Sequence, residues 1–207
     1  MDVLSYTELC AALDGADIYL LDQLVRGRLR PEMRTLDAGC GGCRNLRLLL
    51  KLGFDVSAND EDARAVDAAR QYAATIAPHL PATNFRNEPV EQPTFDAASF
   101  DAIVSSAVLH FARDDAQFAA MVDGMWRLLR EGGLMFCRLA STIGMEERMR
   151  PLGGRRYFLP DGSERYLVDE VQLLDVMTRI GGRLVDPIKT TVVQDQRCMT
   201  TWVVRKF

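Results

Sequence analysis

Leucines at helical spacing open the chain. Over residues 6–30, Leu9, Leu13, Leu20, Leu21 and Leu24 fall on related faces and Pro31 closes the run, which predicts one amphipathic helix. Arg26, Arg28 and Arg30 crowd its last turn, where the helix dipole favours cations. From there short apolar runs alternate with amphipathic stretches. The runs predict strands over residues 33–38, 54–59, 84–87, 100–106 and 134–139, the third of them weak and the fourth, "FDAIVSS", strong. Between them helices are expected over 44–52, 61–74 and 114–130, the last carrying Phe118, Met121, Met125, Leu128 and Leu129 on its apolar side and stopped by Gly132-Gly133. The C-terminal part reads as a helix over 169–180, a strand over 183–188, a turn around Asp195 and a strand over 198–205.

Strands alternating with helices of this length imply parallel βαβ units. The expected fold is doubly wound α/β: a mostly parallel seven-stranded sheet, helices on both faces, and an antiparallel strand at the C-terminus. No internal repeat, low-complexity tract or second core is legible, so residues 1–207 read as one domain with a helical cap at 1–30. Residues 141–166 fit no regular pattern and are long for a loop, which marks them as an irregular wall on the substrate side.

Composition narrows the partners. A formal charge of -4 among 207 residues gives no diffuse positive field, which disfavours nucleic acid. The first five residues lack a basic, then apolar, leader, and no apolar run approaches the roughly 20 residues that span a bilayer. Five cysteines, an odd number and mostly scattered, point to reduced thiols and a cytoplasmic setting, with no membrane partner.

In open parallel sheets ligands bind beyond the carboxyl ends of the strands. The first such end is Asp37-Ala38-Gly39-Cys40-Gly41, followed by Gly42-Cys43-Arg44-Asn45. Read for its cysteines, Cys40-Gly41-Gly42-Cys43 is a CxxC, the spacing of thiol redox enzymes and of half a zinc site. Read for its glycines, it is a turn on which a nucleotide-like cofactor could lie, because Gly39 and Gly41 let the backbone bend and approach a ligand. Zinc needs about four ligands, and only isolated cysteines, His79 and His110 remain beyond the pair, so no metal is expected. A dithiol enzyme would also need a facing proline and a neighbouring aromatic, neither of which the pattern supplies. The glycine reading prevails. Asp60, about 20 residues on, stands where an acid that accepts both ribose hydroxyls belongs, whereas Arg44 holds the position of the third glycine of a dinucleotide fingerprint.

"LDAGCGGCRN", "FDVSANDEDA", "NEPVEQ", "SFDAIVSSAVLHF" and "LLREGGLMF", in that order, resemble the ordered motifs of class I S-adenosylmethionine-dependent methyltransferases. The resemblance runs from about Met33 to Phe207 and is nearest the small-molecule branch that includes tellurite-resistance-type and ubiquinone-biosynthesis-type enzymes. It implies the Rossmann-like methyltransferase fold and S-adenosyl-L-methionine as cofactor. It further implies that Asp37 orders the cofactor's amino group, that Gly39, Cys40 and Gly41 line its methionine part, and that Asn45 fixes the loop or cofactor. Asp60 would hold the ribose with Glu61 beside it. Glu88 would meet the adenine amino group, Val90 would pack near the ring, and Ser105 and Ala107 would pass under the methionine moiety. One departure stands out: Cys43 occupies the family's usual third glycine.

The same resemblance implies methyl transfer to a small molecule. An activated methyl group asks the protein chiefly to align a nucleophile and exclude water. His110 is the candidate base where the acceptor must lose a proton. Ser105-Ser106-Ala107-Val108 lacks the acidic or Asn residue, paired prolines and aromatic of enzymes that methylate nucleic-acid bases. In the irregular segment Arg148, Arg155 and Arg156, with Arg150 and Arg165, are candidates for an anionic group on the substrate, and Tyr19 for a lid contact. Two alternatives stay open: a catalytically silent cofactor-binding module that regulates a partner, and a nicotinamide-dependent oxidoreductase.

Overall fold

The computed structural model describes residues 5–13 and 15–207; the first four residues of the expected cap, and Asp14, lie outside the described residues. Two helices stand where one was expected, α1 (Tyr6–Leu13) and α2 (Ile18–Val25). Gly15 takes φ +71°, and Asp17 caps α2 by accepting from the Tyr19 N–H at 2.9 Å. A capping aspartate after a glycine overrides the leucine spacing, because it satisfies N–H groups that an unbroken helix would not need satisfied. The arginines after α2 make ion pairs: Arg26 with Asp22 at 2.7 Å, Arg28 with Asp186, and Arg30 with Glu32 at 2.9 Å.

The parallel core follows. Strands β1 (Arg34–Ala38), β2 (Asp55–Asp60), β3 (Phe85–Asn87), β4 (Phe100–Ser106) and β5 (Leu129–Ser141) alternate with α3 (Arg44–Lys51), α4 (Ala63–Ile76) and α5 (Asp115–Leu128). After β5 come three short strands, β6 (Arg150–Gly153), β7 (Arg156–Phe158) and β8 (Glu164–Tyr166), then α6 (Glu170–Arg179), β9 (Gly182–Leu184), β10 (Lys189–Val193) and β11 (Arg197–Lys206). The main sheet runs β10-β11-β5-β4-β1-β2-β3, with β9 also paired to β11. β3, β2, β1, β4 and β5 are mutually parallel, and β11 runs antiparallel to β5. Seven positions are therefore filled by eight strands. Of the strand expected over 183–188 only Arg183 and Leu184 are strand, in β9; Pro187, which has no N–H to give a ladder, stands between it and β10, which was not expected. The hairpin turn falls at Gln194 and Asp195, both with positive φ.

Alternation along the strands builds a core on each face. Ala102 and Val104 of β4, Leu134 and Phe136 of β5 and Val203 of β11 pack with α2, α3 and α4. Ile103, Met135, Cys137, Trp202 and Val204 point the other way, onto α5 and α6. Gly132-Gly133 does not end α5, which stops at Leu128; it lies in a bulge of β5, where Phe100 pairs with Leu129 but Ala102 with Leu134.

The segment read as irregular contains three short strands. β6, β7 and β8 form a separate antiparallel sheet over a small core of Met145, Met149, Leu159, Leu167 and Cys198. Strands this short, rich in Arg, Gly and Pro, carry almost no alternation to read.

On α5, Gly124 lets the helix touch the 89–93 segment: a Cβ there would lie 2.6 Å from the Val90 carbonyl and 3.0 Å from that of Glu91. Gly124→Ala gains about 1 kcal/mol of helix propensity and meets backbone that cannot yield cheaply, an overpacking cost of about 1–3 kcal/mol. Urea denaturation should show net destabilisation; a stabilised variant would show that the 89–93 segment is free to move.

Candidate active site

The β1–α3 turn hangs on the end of β2. The Asn59 carbonyl accepts from the N–H groups of Gly39 at 2.9 Å and Cys40 at 3.1 Å. The Asp60 carboxylate takes one more on each oxygen, from Gly41 at 2.8 Å and from Asp62 at 2.9 Å. Each oxygen keeps a lone pair for a ligand. Gly39, at φ +74°, could carry no side chain, since a Cβ would sit 2.7 Å from the Val108 methyls. Above Gly41 the space is open, with no atom within 4 Å of where a Cβ would be.

That opening is a cleft of about 320 Å³ bordered by Gly39, Gly41, Asp60, Glu61, Val90 and Ala107. Of the residues expected to hold a cofactor, these six converge. The same cleft is bordered by Pro89, Glu91, Val108, Phe111, Gln117 and Met121, which sequence reasoning did not assign to it. Met121 was visible as part of the α5 apolar face, where it reads as core. Glu91 is held by Gln117, whose amide donates to it at 2.9 Å, a pairing over 26 residues with no local signal.

The other expected residues lie outside the lining. Glu88 turns to Thr94, accepting from its N–H at 3.0 Å and its hydroxyl at 2.6 Å. Asn45 accepts from the Asp17 N–H at 3.0 Å and so fixes α2, not the cleft. Ser105 is buried, its hydroxyl without a partner among the described residues. Asp37 is buried beneath the turn, and loss of solvation, with Arg44 and a Leu46 N–H opposing it, pushes its carboxyl up to about 7. His110 is buried too. Its Nδ1 accepts from the Ala140 N–H at 3.2 Å, and burial, reinforced by Arg165, Arg197 and Arg44, pushes its pKa down to about 3. A ring that stays neutral and is tied to β5 holds that strand's end and stores no proton at neutral pH.

Cys40 and Cys43 are both buried, and all five cysteines are free. Cys43 takes φ +61° just before α3, the left-handed conformation that favours glycine, and its thiol donates toward the Gly41 carbonyl at 3.5 Å. Hydrogen bonding to Cys43 and then burial push the Cys40 thiol well above its ordinary range. Among the described residues no three His, Cys, Asp or Glu side chains converge as metal ligands would.

Residues 36–137, from β1 through the first half of β5, match the family model described as a methyltransferase domain. The chain carries a methyltransferase domain. A ubiquinone biosynthesis O-methyltransferase of Methylocella silvestris is 33% identical over 129 residues, covering 60% of this chain and 47% of that relative. The chain thus spans about half the length of that curated protein. The fold of the domain is that of solved S-adenosylmethionine-dependent methyltransferases. One from Methanosarcina mazei superposes with TM-score 0.71 at 17% identity, over 89% of this chain and 97% of its own. The 1,6-didemethyltoxoflavin-N1-methyltransferase of Burkholderia thailandensis, with bound substrate and S-adenosylhomocysteine, superposes with TM-score 0.69 at 20% identity, over 100% and 92%.

Near the cleft of the methyltransferase domain the start of α2 is pinned. Asp17 Oδ2 accepts from Ser106 Oγ at 2.8 Å and from Arg138 at 3.2 Å, and Arg44 donates to the same serine at 2.8 Å. Tyr19 lies under the Arg138 guanidinium, 5.0 Å from its ring centre, and its hydroxyl bonds Thr191 of β10. Three of the candidate arginines are neutralised: Arg148 by Asp195, Arg155 by Asp169 at 2.8 Å, and Arg156 by Glu164 at 3.4 Å.

Two outcomes follow for stability. Asp17→Ala leaves Arg138 without its buried partner and should cost about 3 kcal/mol in urea denaturation, with Asp17→Asn costing less; equal stability of Asp17→Ala would mean the helices are not held by this pair. For Asp37, the folded value of about 7 lies above the ordinary 3.8. The folded chain therefore binds more protons than the unfolded one between these values and loses stability as pH rises through the window. Asp37→Asn should flatten that slope in melts from pH 4 to 8, and an unchanged slope would contradict the raised value.

Proposed function

We propose that this chain binds S-adenosyl-L-methionine in the cleft over Gly39–Gly41 and transfers its methyl group to a small-molecule acceptor. The observation that carries the reading is the Asp60 carboxylate, anchored on two backbone N–H groups yet with lone pairs left over at the rim of an open cradle. The residues present fit the cofactor. Asp60 would take the ribose hydroxyls with Glu61 beside it, Val90 and Met121 supply apolar wall for the adenine, and Gly41 leaves room for the methionine part. Asp37, buried under the turn with a carboxyl that ionises near neutrality, would answer the cofactor's ammonium through the loop.

When bound, the cofactor supplies a methyl group already activated on a sulfonium. The chain's own residues then have to orient the acceptor and keep water out. Val108 and Phe111 give an apolar border for that purpose. His110 is held neutral by burial and hydrogen-bonded to β5, so we assign it to positioning the strand and the 109–111 turn, with no proton taken from the acceptor. The Methylocella relative and the toxoflavin enzyme, both named for small acceptors, favour a small molecule here as well. Free thiols, four of them buried, fit a cytoplasmic setting. No described helix is long and apolar enough to cross a membrane.

Calorimetric titration with S-adenosylmethionine and S-adenosylhomocysteine tests the reading. Wild type should bind both in the micromolar range. Asp60→Asn should bind at least tenfold more weakly and Asp60→Ala more weakly still, since the first keeps one acceptor and the second none. Absence of binding by wild type would end the methyltransferase reading.

A further inference from the structure

We propose that Arg165, stacked on Phe111 at the β4 end of the cleft, recognises a carboxylate on an aromatic acceptor. The inference rests on the methyltransferase reading above and adds to it the chemical class of substrate.

Five arginines lie in the 148–165 segment, and three of them are spent on Asp195, Asp169 and Glu164. The remaining two, Arg150 and Arg165, have no carboxylate within 4 Å among the described residues, and each rests on an aromatic ring. Arg150 covers Phe158, away from the cleft. Arg165 covers Phe111, with its guanidinium carbon 4.8 Å from the ring centre, and Phe111 borders the cleft while remaining 57% exposed. Its Nη1 donates to the Glu164 carbonyl at 2.7 Å. Among the described residues nothing accepts from Nε or Nη2, so one edge of the guanidinium has no protein partner. The ring contact limits where that fork can point, and a carboxylate would meet it with two parallel hydrogen bonds.

The setting favours an anion joined to an apolar ring. Phe111 keeps exposed ring surface on the cleft wall, and Val108 continues the apolar border beside it. Charge is divided along the cleft. Asp60, Glu61 and Glu91 border it at the β2 and β3 side, and Arg165, itself outside the lining, lies over the ring of Phe111 at the β4 side. β1 lies between β2 and β4, which separates the two ends by about 10 Å at ordinary strand spacing. An acceptor carrying a carboxylate is thereby steered to the β4 end and repelled from the ribose end. Arg197 and Arg44 also lie near this end, where with Arg165 they add to burial in lowering the proton affinity of His110. Arg197 and Arg44 are already engaged with Asp161 and Asp17, each at 3.6 Å, leaving Arg165 as the available donor.

The test is calorimetry on protein first saturated with S-adenosylhomocysteine, using benzoate, salicylate and 2-naphthoate, each against its carboxamide. At least one acid should bind tenfold or more tightly than its amide. Arg165→Gln should bring that acid to the level of the amide while S-adenosylhomocysteine affinity stays within twofold, and Arg165→Lys, which keeps the charge and loses the fork, should fall between. If no acid outbinds its amide, or if Arg165→Gln keeps the preference, the inference is overturned and the cofactor reading stands. If S-adenosylhomocysteine itself does not bind wild type, both fall, and the first titration alone tells the two failures apart.

Discussion

The cleft depends on one constraint: the turn after β1 is suspended from the end of β2. One carbonyl, that of Asn59, takes two N–H groups of the turn, and the neighbouring Asp60 carboxylate takes a third. The suspension continues sideways. The Asn59 amide donates to the Glu88 carbonyl at 3.3 Å, and the Asn87 amide donates to the carbonyls of Asp60 and Glu61 at 3.0 and 2.9 Å. Three strand ends are thus tied by polar side chains whose other option, at the mouth of a parallel sheet, is water. Turns at such ends otherwise lack ladder partners, and this set of bonds gives the cleft a floor before any ligand arrives.

A second polar knot fixes the start of α2. Asp17 serves at once as helix cap, as acceptor for Ser106 and Arg138, and, through its N–H, as donor to Asn45 of α3. A single buried aspartate therefore joins α2, α3, β4 and β5. A helix start held this way stays in place, since swinging it out would strip a buried carboxylate of its partners. The expectation that Tyr19 serves a moving lid has to be set against that tie and against its own bond to Thr191.

What was legible in the sequence was what periodicity encodes. The "FDAIVSS" run is β4 to the residue, and the strand ends that carry Gly39, Gly41 and Asp60 came out in the right places because parallel strands are short, apolar and punctuated by glycine and acid. What escaped was set by distant partners. Pairing of β6 with β7 and of β7 with β8 makes a sheet from residues with no apolar alternation, and β10 is a strand because β11 lies beside it. In the site, Glu88 matched a motif position, yet Thr94 captures its carboxylate and Glu91, three residues on, borders the cleft. Side-chain direction in a short loop is decided by the nearest donor, which spacing does not record.

The two cysteines show the same principle within four residues. As a CxxC they suggested chemistry; as folded they fill space. Cys43 occupies a left-handed position where a residue with a Cβ is disfavoured by about 1–2 kcal/mol, but its side chain is buried against Leu46, Val66 and their neighbours on the α3–α4 face of the sheet. A small polarisable thiol recovers through that packing, and through its bonds to the Gly41 and Ala65 carbonyls, part of what the backbone conformation costs. A glycine would relieve the strain and forgo that packing. Cysteine at this position is thus a compromise between the geometry of a cofactor turn and the packing of the helix that follows it.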